Sequence, residues 1–500
     1  MKNRTNQAKI NIIYGLASKV IMMLLEFISR YFFIKYLGSE LLGVNGVFTN
    51  IIQCLSLAEL GMNNVVMFSY YKPLAENNVR KLSALNTFYK RVYNGIALAV
   101  AVVGFCLIPF LKYIINTDIV ITNLTHIYIL FLIDTVMSYL CIYKITILTA
   151  DQNSYIVTKY DMVLNSIRVF CQIISLILFK NFIIYLFIKI LFSIGGNIIK
   201  AKKVDREYTF TEKEEPLSLQ EKKSIFEMIK SGFIYKLSAI LLNSTDNVII
   251  SFLVGTVWVG LLANYVTLCT SVASFVTIAY NNITASVGNL VTTEKKERKL
   301  YIFNVMSVVS CWVAFVFFIC TLVLSDDFIR LWLGKEYVMD FSIVLPKIMM
   351  LYVSCIMQPI FTFREALGLY TKTKYVMLLS AILNIGLSLI LGNLWGTSGV
   401  LIASLIAVGT TYFWFEPLVL FKDCFETSVI PYYFRIATNI FICFFTTILA
   451  LKLDKYISFC GWVGFIAKGC IIFIIVNIEC YLVYGKTEEF RFLIKKLRRN

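Results

Sequence analysis

The chain has 500 residues, of which 59% are hydrophobic and 15% are charged, and its mean hydropathy is +0.76. Soluble domains carry more charge than this, so the composition indicates a polytopic membrane protein whose apolar runs of about 20 residues span the bilayer. The formal net charge of +17 does not indicate a nucleic-acid partner, because Lys and Arg lie in short loops between the apolar runs.

The sequence predicts neither a cofactor nor a metal site. Its 13 cysteines mostly lie inside apolar runs with no C-x-x-C pair, and the single histidine, His126, has no neighbouring ligand set. Buried thiols acting as small hydrophobic side chains explain this pattern better than a metal or redox site does. There is also no Gly-Lys-Ser/Thr nucleotide-binding loop, which argues against ATP hydrolysis.

Six spans are predicted in the first part of the chain, over residues 10–37, 41–67, 92–111, 121–148, 162–179 and 181–199. Residues 72–91 form a predicted basic loop. The longest polar loop, 200–230, contains the capping-box pattern Ser218-x-x-Glu221 and a basic amphipathic stretch, 217–230, of the kind that lies on a membrane surface.

Eight further spans follow, over residues 231–253, 257–287, 301–325 and 341–363, two within 375–415, and then 430–451 and 456–483. The uncharged run 247–293 is too long for one span, so a turn is expected near Gly255–Gly260. The run 375–415 is also too long, and LGNLWGTSG at 391–399 is the expected break. The count is therefore about fourteen spans, followed by a basic amphipathic tail.

Charge distribution predicts the orientation. Most of the 47 Lys and Arg residues lie in segments that are cytoplasmic if the N-terminus is inside. The predicted external loops hold only Lys112, Lys180, Arg330, Lys335, Lys452 and Lys455. Because cytoplasmic loops are enriched in Lys and Arg, both termini are expected in the cytoplasm.

An internal repeat predicts two similar lobes. Gly38-x4-Gly43 recurs as Gly255-x4-Gly260, 217 residues later, after six intervening spans. Such a parallel repeat is typical of transporters in which two lobes enclose a central cavity, although membrane helices favour spaced small residues in any case. The predicted parts are an N-terminal lobe (1–200), a cytoplasmic linker with an amphipathic helix (201–230), a C-terminal lobe (231–421), two last spans (422–485) and a basic tail (486–500).

Charged residues inside predicted spans are the candidate functional residues, because lipid does not solvate them and they usually face a hydrated cavity or one another. Lys19, Glu26 and Arg30 share one helical face, at spacings of seven and four. The full candidate set for a net cationic cavity is Arg30, Glu26, Lys19, Lys236, Asp246, Arg168, Arg364 and Glu365. The four repeat glycines are candidate gate or turn residues. The alternatives are an intrahelical Glu26–Arg30 ion pair and, for Lys189 and Lys468, side chains that reach to the interface.

Two stretches carry a family resemblance. YLGSELLGVNGVFTNIIQCLSLAELGMNNVVMFSYYKPLAENN at 36–78 and STDNVIISFLVGTVWVGLLANY at 244–265 resemble bacterial polysaccharide flippases. These proteins belong to the superfamily of multidrug, oligosaccharidyl-lipid and polysaccharide exporters. The resemblance implies an all-α fold with two pseudo-symmetric six-helix lobes around a central cavity and two C-terminal helices. Arg30 matches the family's first-span arginine and Asp246 its seventh-span acidic residue, whereas Lys19 and Lys236 match no family motif.

The resemblance implies alternating-access export of undecaprenyl-pyrophosphate-linked oligosaccharide across the bacterial cytoplasmic membrane, not an enzyme activity. The expected partners are this lipid-linked substrate, membrane lipids, and the polysaccharide polymerase and glycosyltransferases of the same pathway. Two alternatives stay open within the superfamily, a lipid II-type flippase and a cation-coupled multidrug exporter. A membrane polymerase or glycosyltransferase is the alternative from another class, and the short predicted external loops argue against it.

Overall fold

A computed structural model describes residues 4–56, 66, 69–71, 73–74, 76–117, 121, 123–151, 153–208, 216–454 and 461–497. The longer elements in this part are all helices: α1 (Arg4–Leu55), α2 (Val79–Leu107), α3 (Leu111–Ile114), α4 (Leu124–Ala150), α5 (Ser154–Phe179), α6 (Phe182–Glu207), α7 (Leu219–Leu253) and α8 (Thr256–Thr293). They continue as α9 (Lys296–Trp332), α10 (Phe341–Ile356), α11 (Gln358–Leu367), α12 (Tyr370–Thr410), α13 (Tyr412–Leu420), α14 (Ile430–Asp454), α15 (Gly461–Tyr484) and α16 (Glu488–Leu497).

The protein is an all-α polytopic membrane protein, as predicted. In the described part, 9 helices are long and apolar enough to cross a membrane, or 10 when the bent pair α10–α11 counts as one span. Helices α1 and α7 are not among these candidates. Adding the two arms of α1, α7 and the second arm of α12 to those ten gives the fourteen segments that the sequence predicts.

The chain divides into two compact units, Met1–Gly260 and Leu261–Asn500. In the first unit α1 packs against α5 and α7, and α4 packs against α2 and α6. In the second unit α9 is central and packs against α10, α14, α15 and the tail helix α16. The first unit includes α7, which the sequence analysis assigns to the second lobe. The predicted lobe boundaries and the central cavity between lobes stay predictions.

Glycines mark the predicted breaks. Gly38 interrupts α1 with φ +84°, Gly255 separates α7 from α8 with φ +134°, and Gly396 interrupts α12 with φ +61°. Residues with a Cβ rarely adopt such angles, so glycine is the natural residue there. The two arms of α12 pack antiparallel, since the amide nitrogen of Asn384 donates to the hydroxyl of Ser404 at 2.7 Å. The turn predicted within 391–399 is therefore confirmed.

Two segments differ from the expectation in where a helix begins. Helix α2 begins at Val79, inside the predicted loop 72–91, because the Asn78 side chain accepts a hydrogen bond from the Lys81 backbone N–H and caps the helix. The amphipathic stretch 217–230 is not a separate surface helix: it is the start of α7, behind the predicted Ser218–Glu221 capping box. Residues 57–65 and 209–215, within predicted span two and the long loop, lie outside the described residues.

The predicted single span 341–363 is bent by 46° between α10 and α11. Pro359 explains the bend, because proline has no N–H to donate to the carbonyl of Cys355, four residues earlier. The Ser310 hydroxyl donates to that carbonyl instead, at 2.8 Å. The freed acceptor is thus satisfied inside the protein, as a low-dielectric environment requires.

Candidate functional site

A cavity of about 290 Å³ lies within the first unit between α1, α5 and α6. We call it the Arg30 cavity. Its lining residues are Met22, Glu26, Ser29, Arg30, Phe33, Leu42, Asn45, Arg168, Val169, Gln172 and Tyr185. Three of the predicted cavity residues, Arg30, Glu26 and Arg168, therefore meet in one place.

Burial of Arg30 carries an electrostatic cost, because its side chain is only 15% accessible and few protein groups balance its charge. Its nearest carboxylate is Glu26, with 3.7 Å between Nη2 and Oε1, and that carboxylate is itself 56% accessible. The Nε and Nη1 atoms are buried and have no hydrogen-bond partner in the described part of the chain. A guanidinium has five N–H donors in a planar fork, so Arg30 keeps donors available for an anion.

Arg168 is the second cation of this cavity. Its Nε is buried without a hydrogen-bond partner, and no carboxylate among the described residues lies within ion-pair distance of it. Nearby, Gln172 donates through Nε2 to the Tyr185 carbonyl at 3.0 Å, which holds α5 and α6 together. Two guanidinium groups with open donors in one cavity form a site suited to an oxyanion.

A second cavity, of about 210 Å³, continues along the facing surfaces of α5 and α6. We call it the Lys189 cavity. It is lined by Asp161, Leu164, Asn165, Arg168, Lys189, Phe192, Ser193, Gly196, Asn197 and Lys200. On each helix these residues recur at intervals of three and four, so they form one stripe per helix. Arg168 lines both cavities and marks their junction.

The two lysines of the Lys189 cavity are compensated. Lys189 Nζ lies 3.4 Å from Oδ2 of Asp134, and Lys200 Nζ lies 2.6 Å from Oδ1 of Asp161. The other carboxylate oxygen of Asp134, Oδ1, is buried without a hydrogen-bond partner in the described part of the chain. Arg30 and Arg168 thus keep open donors, and Asp134 keeps an open acceptor.

The remaining predicted cavity residues lie elsewhere. Lys19 is exposed on α1, and Lys236 and Asp246 are partly buried on α7; the described cavity linings include none of them. In the second unit Glu365 is exposed. Arg364 is buried, and its Nη1 lies 2.8 Å from both carboxylate oxygens of Glu416. A cavity role for these residues stays a prediction.

Two of the four repeat glycines, Gly43 and Gly260, make reciprocal close contacts. A Cβ atom on Gly43 would lie 1.9 Å from the Thr256 carbonyl oxygen, and one on Gly260 would lie 1.9 Å from the Ser39 carbonyl oxygen. Ser39 and Thr256 are also 217 residues apart, so the two contacts are copies of each other. In each copy the first glycine permits the turn and the second permits close helix packing. A role in gating stays a prediction.

Sequence reasoning missed the neutral polar residues that line the two cavities, among them Asn165, Gln172, Ser193 and Asn197. A signal for them exists: on two consecutive predicted spans, polar residues recur at helical spacing within otherwise apolar runs. Among the described residues, no group of three or more His, Cys, Asp or Glu could hold a metal ion.

No protein-family model and no curated protein matches the chain. The fold, however, is similar to solved structures of transporters. A lipid II flippase MurJ in an inward closed conformation aligns with a TM-score of 0.62 and 16% identity, over 95% of this chain and 99% of that chain.

Two further structures are similar in fold. An inward-facing multidrug resistance MATE family transporter of the MOP superfamily has a TM-score of 0.59 and 12% identity, over 83% of this chain and 99% of that chain. A MOP superfamily transporter from Pyrococcus furiosus has a TM-score of 0.56 and 9% identity, over 85% of this chain and 97% of that chain. These neighbours are transporters and flippases rather than enzymes, and at such identities the likeness establishes the fold alone.

Proposed function

We propose that the chain is an alternating-access flippase that moves undecaprenyl-pyrophosphate-linked oligosaccharide repeat units across the bacterial cytoplasmic membrane, with both termini in the cytoplasm. The observation that carries the proposal is the Arg30 cavity, where Arg30 and Arg168 both keep guanidinium donors without a protein partner. A pyrophosphate diester is an anion with several acceptor oxygens, and guanidinium groups bind such oxygens in a bidentate manner.

Leaving the charges of Arg30 and Arg168 without full compensation costs free energy. Burying an ion is costly unless it is paired and hydrogen-bonded, so buried ionic groups inside membrane proteins are usually functional. A bound phosphate would supply the missing acceptors of Arg30 and Arg168, and the open donors are then used only when substrate is present. In this account Glu26, which is 56% accessible, keeps Arg30 oriented without saturating it.

Membrane voltage fits this direction of transport. Moving an anion outward across an inside-negative membrane releases about 2.3 kcal/mol per charge per 100 mV. Outward flipping of a pyrophosphate-linked lipid is therefore assisted by the membrane potential. The neighbouring polymerase and glycosyltransferases of a surface-polysaccharide pathway are the partners that this function requires.

The fold similarity supports the class of activity and leaves alternatives within it. One neighbour is a lipid II flippase and another is a multidrug resistance transporter. A cationic drug would need acidic groups with open acceptors at its site. In the Arg30 cavity, the buried polar atoms without a hydrogen-bond partner belong to arginines. A neighbour from Pyrococcus furiosus, described by a binding pocket of reversed polarity and a different function, is consistent with pocket polarity varying within this fold.

Substitution of Arg30 tests the proposal in cells. Arg30→Ala should abolish surface polysaccharide at a normal level of membrane-inserted protein, and Arg30→Lys should restore only part, because an ammonium is a point charge without the planar fork. Lys35→Ala is the matched control, since Lys35 is an exposed cation on the same helix. Export at the wild-type level by Arg30→Ala would contradict the proposal.

A further inference from the structure

The Lys189 cavity is not used by the phosphate site proposed above. It adjoins that site, because Arg168 lines both cavities. We propose that the Lys189 cavity is the subsite for the first sugar of a sugar diphosphate whose phosphates bind at Arg30 and Arg168. This inference rests on the proposed function and adds a recognition site within the first unit.

The two subsites lie one after the other along the helix pair α5 and α6. Gln172 contacts Tyr185 beside the Arg30 cavity, and Lys200 pairs with Asp161 at the other end of the same helix pair. Between them, Arg168 lies at the junction. In a sugar diphosphate the sugar is bonded to the terminal phosphate, so a phosphate held by Arg168 directs its sugar into the Lys189 cavity.

The lining matches a neutral polyhydroxylated group better than a second anion. Lys189 and Lys200 are already paired with Asp134 and Asp161, so they add little free positive charge. The side chains of Asn165, Ser193 and Asn197 line the cavity, and no hydrogen bond joins them to another group in the described part of the chain.

These side chains offer both donors and acceptors, as sugar hydroxyls do. Phe192 contributes an apolar ring to the same wall, against which the C–H face of a sugar can pack. A hydrocarbon chain would leave all these polar groups without partners, at a large desolvation cost.

The Lys189 cavity has a volume of about 210 Å³, which accommodates a small ligand. One monosaccharide ring is of this scale, whereas an oligosaccharide is not. The remaining sugars of a repeat unit would lie outside the Lys189 cavity, so the subsite distinguishes substrates by the sugar next to the phosphate.

A binding measurement tests the inference on the full-length protein in lipid nanodiscs. The probes are farnesyl diphosphate, which has no sugar, and farnesyl diphosphate conjugated to glucose or to N-acetylglucosamine. Wild-type protein should bind at least one conjugate roughly 3- to 10-fold more tightly than farnesyl diphosphate, the effect of one or two added hydrogen bonds.

The double variant Asn165→Ala/Asn197→Ala should bind farnesyl diphosphate as the wild type does and lose the preference for the conjugate. Asn393→Ala is the control, because Asn393 is exposed on α12 and bonds only to its own helix at Leu389. Equal wild-type binding of all three probes would overturn the sugar subsite and leave the phosphate proposal standing. Failure of every probe to bind the wild type would overturn the proposed function and the inference with it.

A second variant covers the case in which the double variant does not fold. Ser193→Leu adds apolar volume to the Lys189 cavity on the α6 side and leaves Arg30 and Arg168 unchanged. It should weaken the conjugate alone. An equal loss of affinity for the conjugate and for farnesyl diphosphate would overturn the separation into two subsites.

Discussion

Two arginines with little solvent exposure, one in each unit, show what distinguishes a structural ion pair from a candidate binding group. Arg364 in the second unit contacts both oxygens of Glu416, and the two side chains are 7% and 1% accessible. Arg30 in the first unit has a 3.7 Å contact to an accessible carboxylate and two buried nitrogens without partners. Arg364 is the more buried of the two, and it is also the one whose guanidinium has a carboxylate within hydrogen-bond distance. A charge inside a membrane span is therefore a functional candidate chiefly when the protein leaves some of its hydrogen-bonding atoms without a partner.

The largest expected effect comes from breaking the compensated pair. Glu416→Ala should destabilise the protein by about 3–5 kcal/mol, because it leaves the buried Arg364 guanidinium without its carboxylate. Thermal unfolding of the detergent-solubilised protein measures this change. The double variant Arg364→Met/Glu416→Leu should recover most of the stability, since an apolar pair of similar volume replaces the ions. An unchanged unfolding temperature for Glu416→Ala would remove the contrast between the two arginines.

Pyrophosphate should stabilise the first unit through the open donors. At a concentration of 100 times its dissociation constant, inorganic pyrophosphate should add about 2.7 kcal/mol to the stability of the folded state. Arg168→Gln should abolish this gain in a thermal-shift measurement. Lys159→Gln, on an exposed position of the same helix, should keep it. Equal protection of Arg168→Gln and the wild type would show that the anion binds elsewhere.

Substitutions at the two closely packed repeat glycines should have the next largest effect on stability. Gly43→Ala and Gly260→Ala should each destabilise by about 1–3 kcal/mol, because the new methyl group would overlap a backbone carbonyl oxygen of the facing helix. Similar losses are expected for both, since the two contacts are copies. Gly386→Ala, which adds a methyl group with nothing within 4 Å, is the control. Very different losses for the two repeat positions would argue against the reciprocal contact.

The smallest expected effect on stability is that of Arg30→Ala, at within about 1 kcal/mol and in the stabilising direction, because the variant removes buried donors that have no partner. Arg30→Ala and Glu416→Ala should therefore differ clearly in their effect on stability, because folding needs the Glu416 charge and does not need the Arg30 charge. A loss of several kcal/mol for Arg30→Ala would show that Arg30 is a structural residue.

Local sequence signals predicted the fold, while the pairing of charges needed the tertiary structure. Gly38, Gly255 and the glycines around 396 marked real turns because glycine tolerates positive φ. The sequence marks Arg30, Arg168 and Arg364 alike, as charges in apolar runs. Only the fold shows which of them has a close carboxylate partner. The partner of Arg364 is 52 residues away, and no local pattern joins it to Glu416. Pro359 is itself a sequence signal for a bend, but predicting spans from hydropathy and length does not use it.

The most direct test of the central claim is translocation in vesicles. Purified wild-type protein, Arg30→Ala and Lys35→Ala are reconstituted into liposomes with a fluorescent undecaprenyl-pyrophosphate-linked oligosaccharide, and its appearance on the opposite leaflet is followed with and without an imposed potential. The account predicts flipping by wild type and Lys35→Ala, acceleration when the receiving side is positive, and no flipping by Arg30→Ala. Equal flipping by Arg30→Ala and wild type, indifferent to the potential, would contradict it.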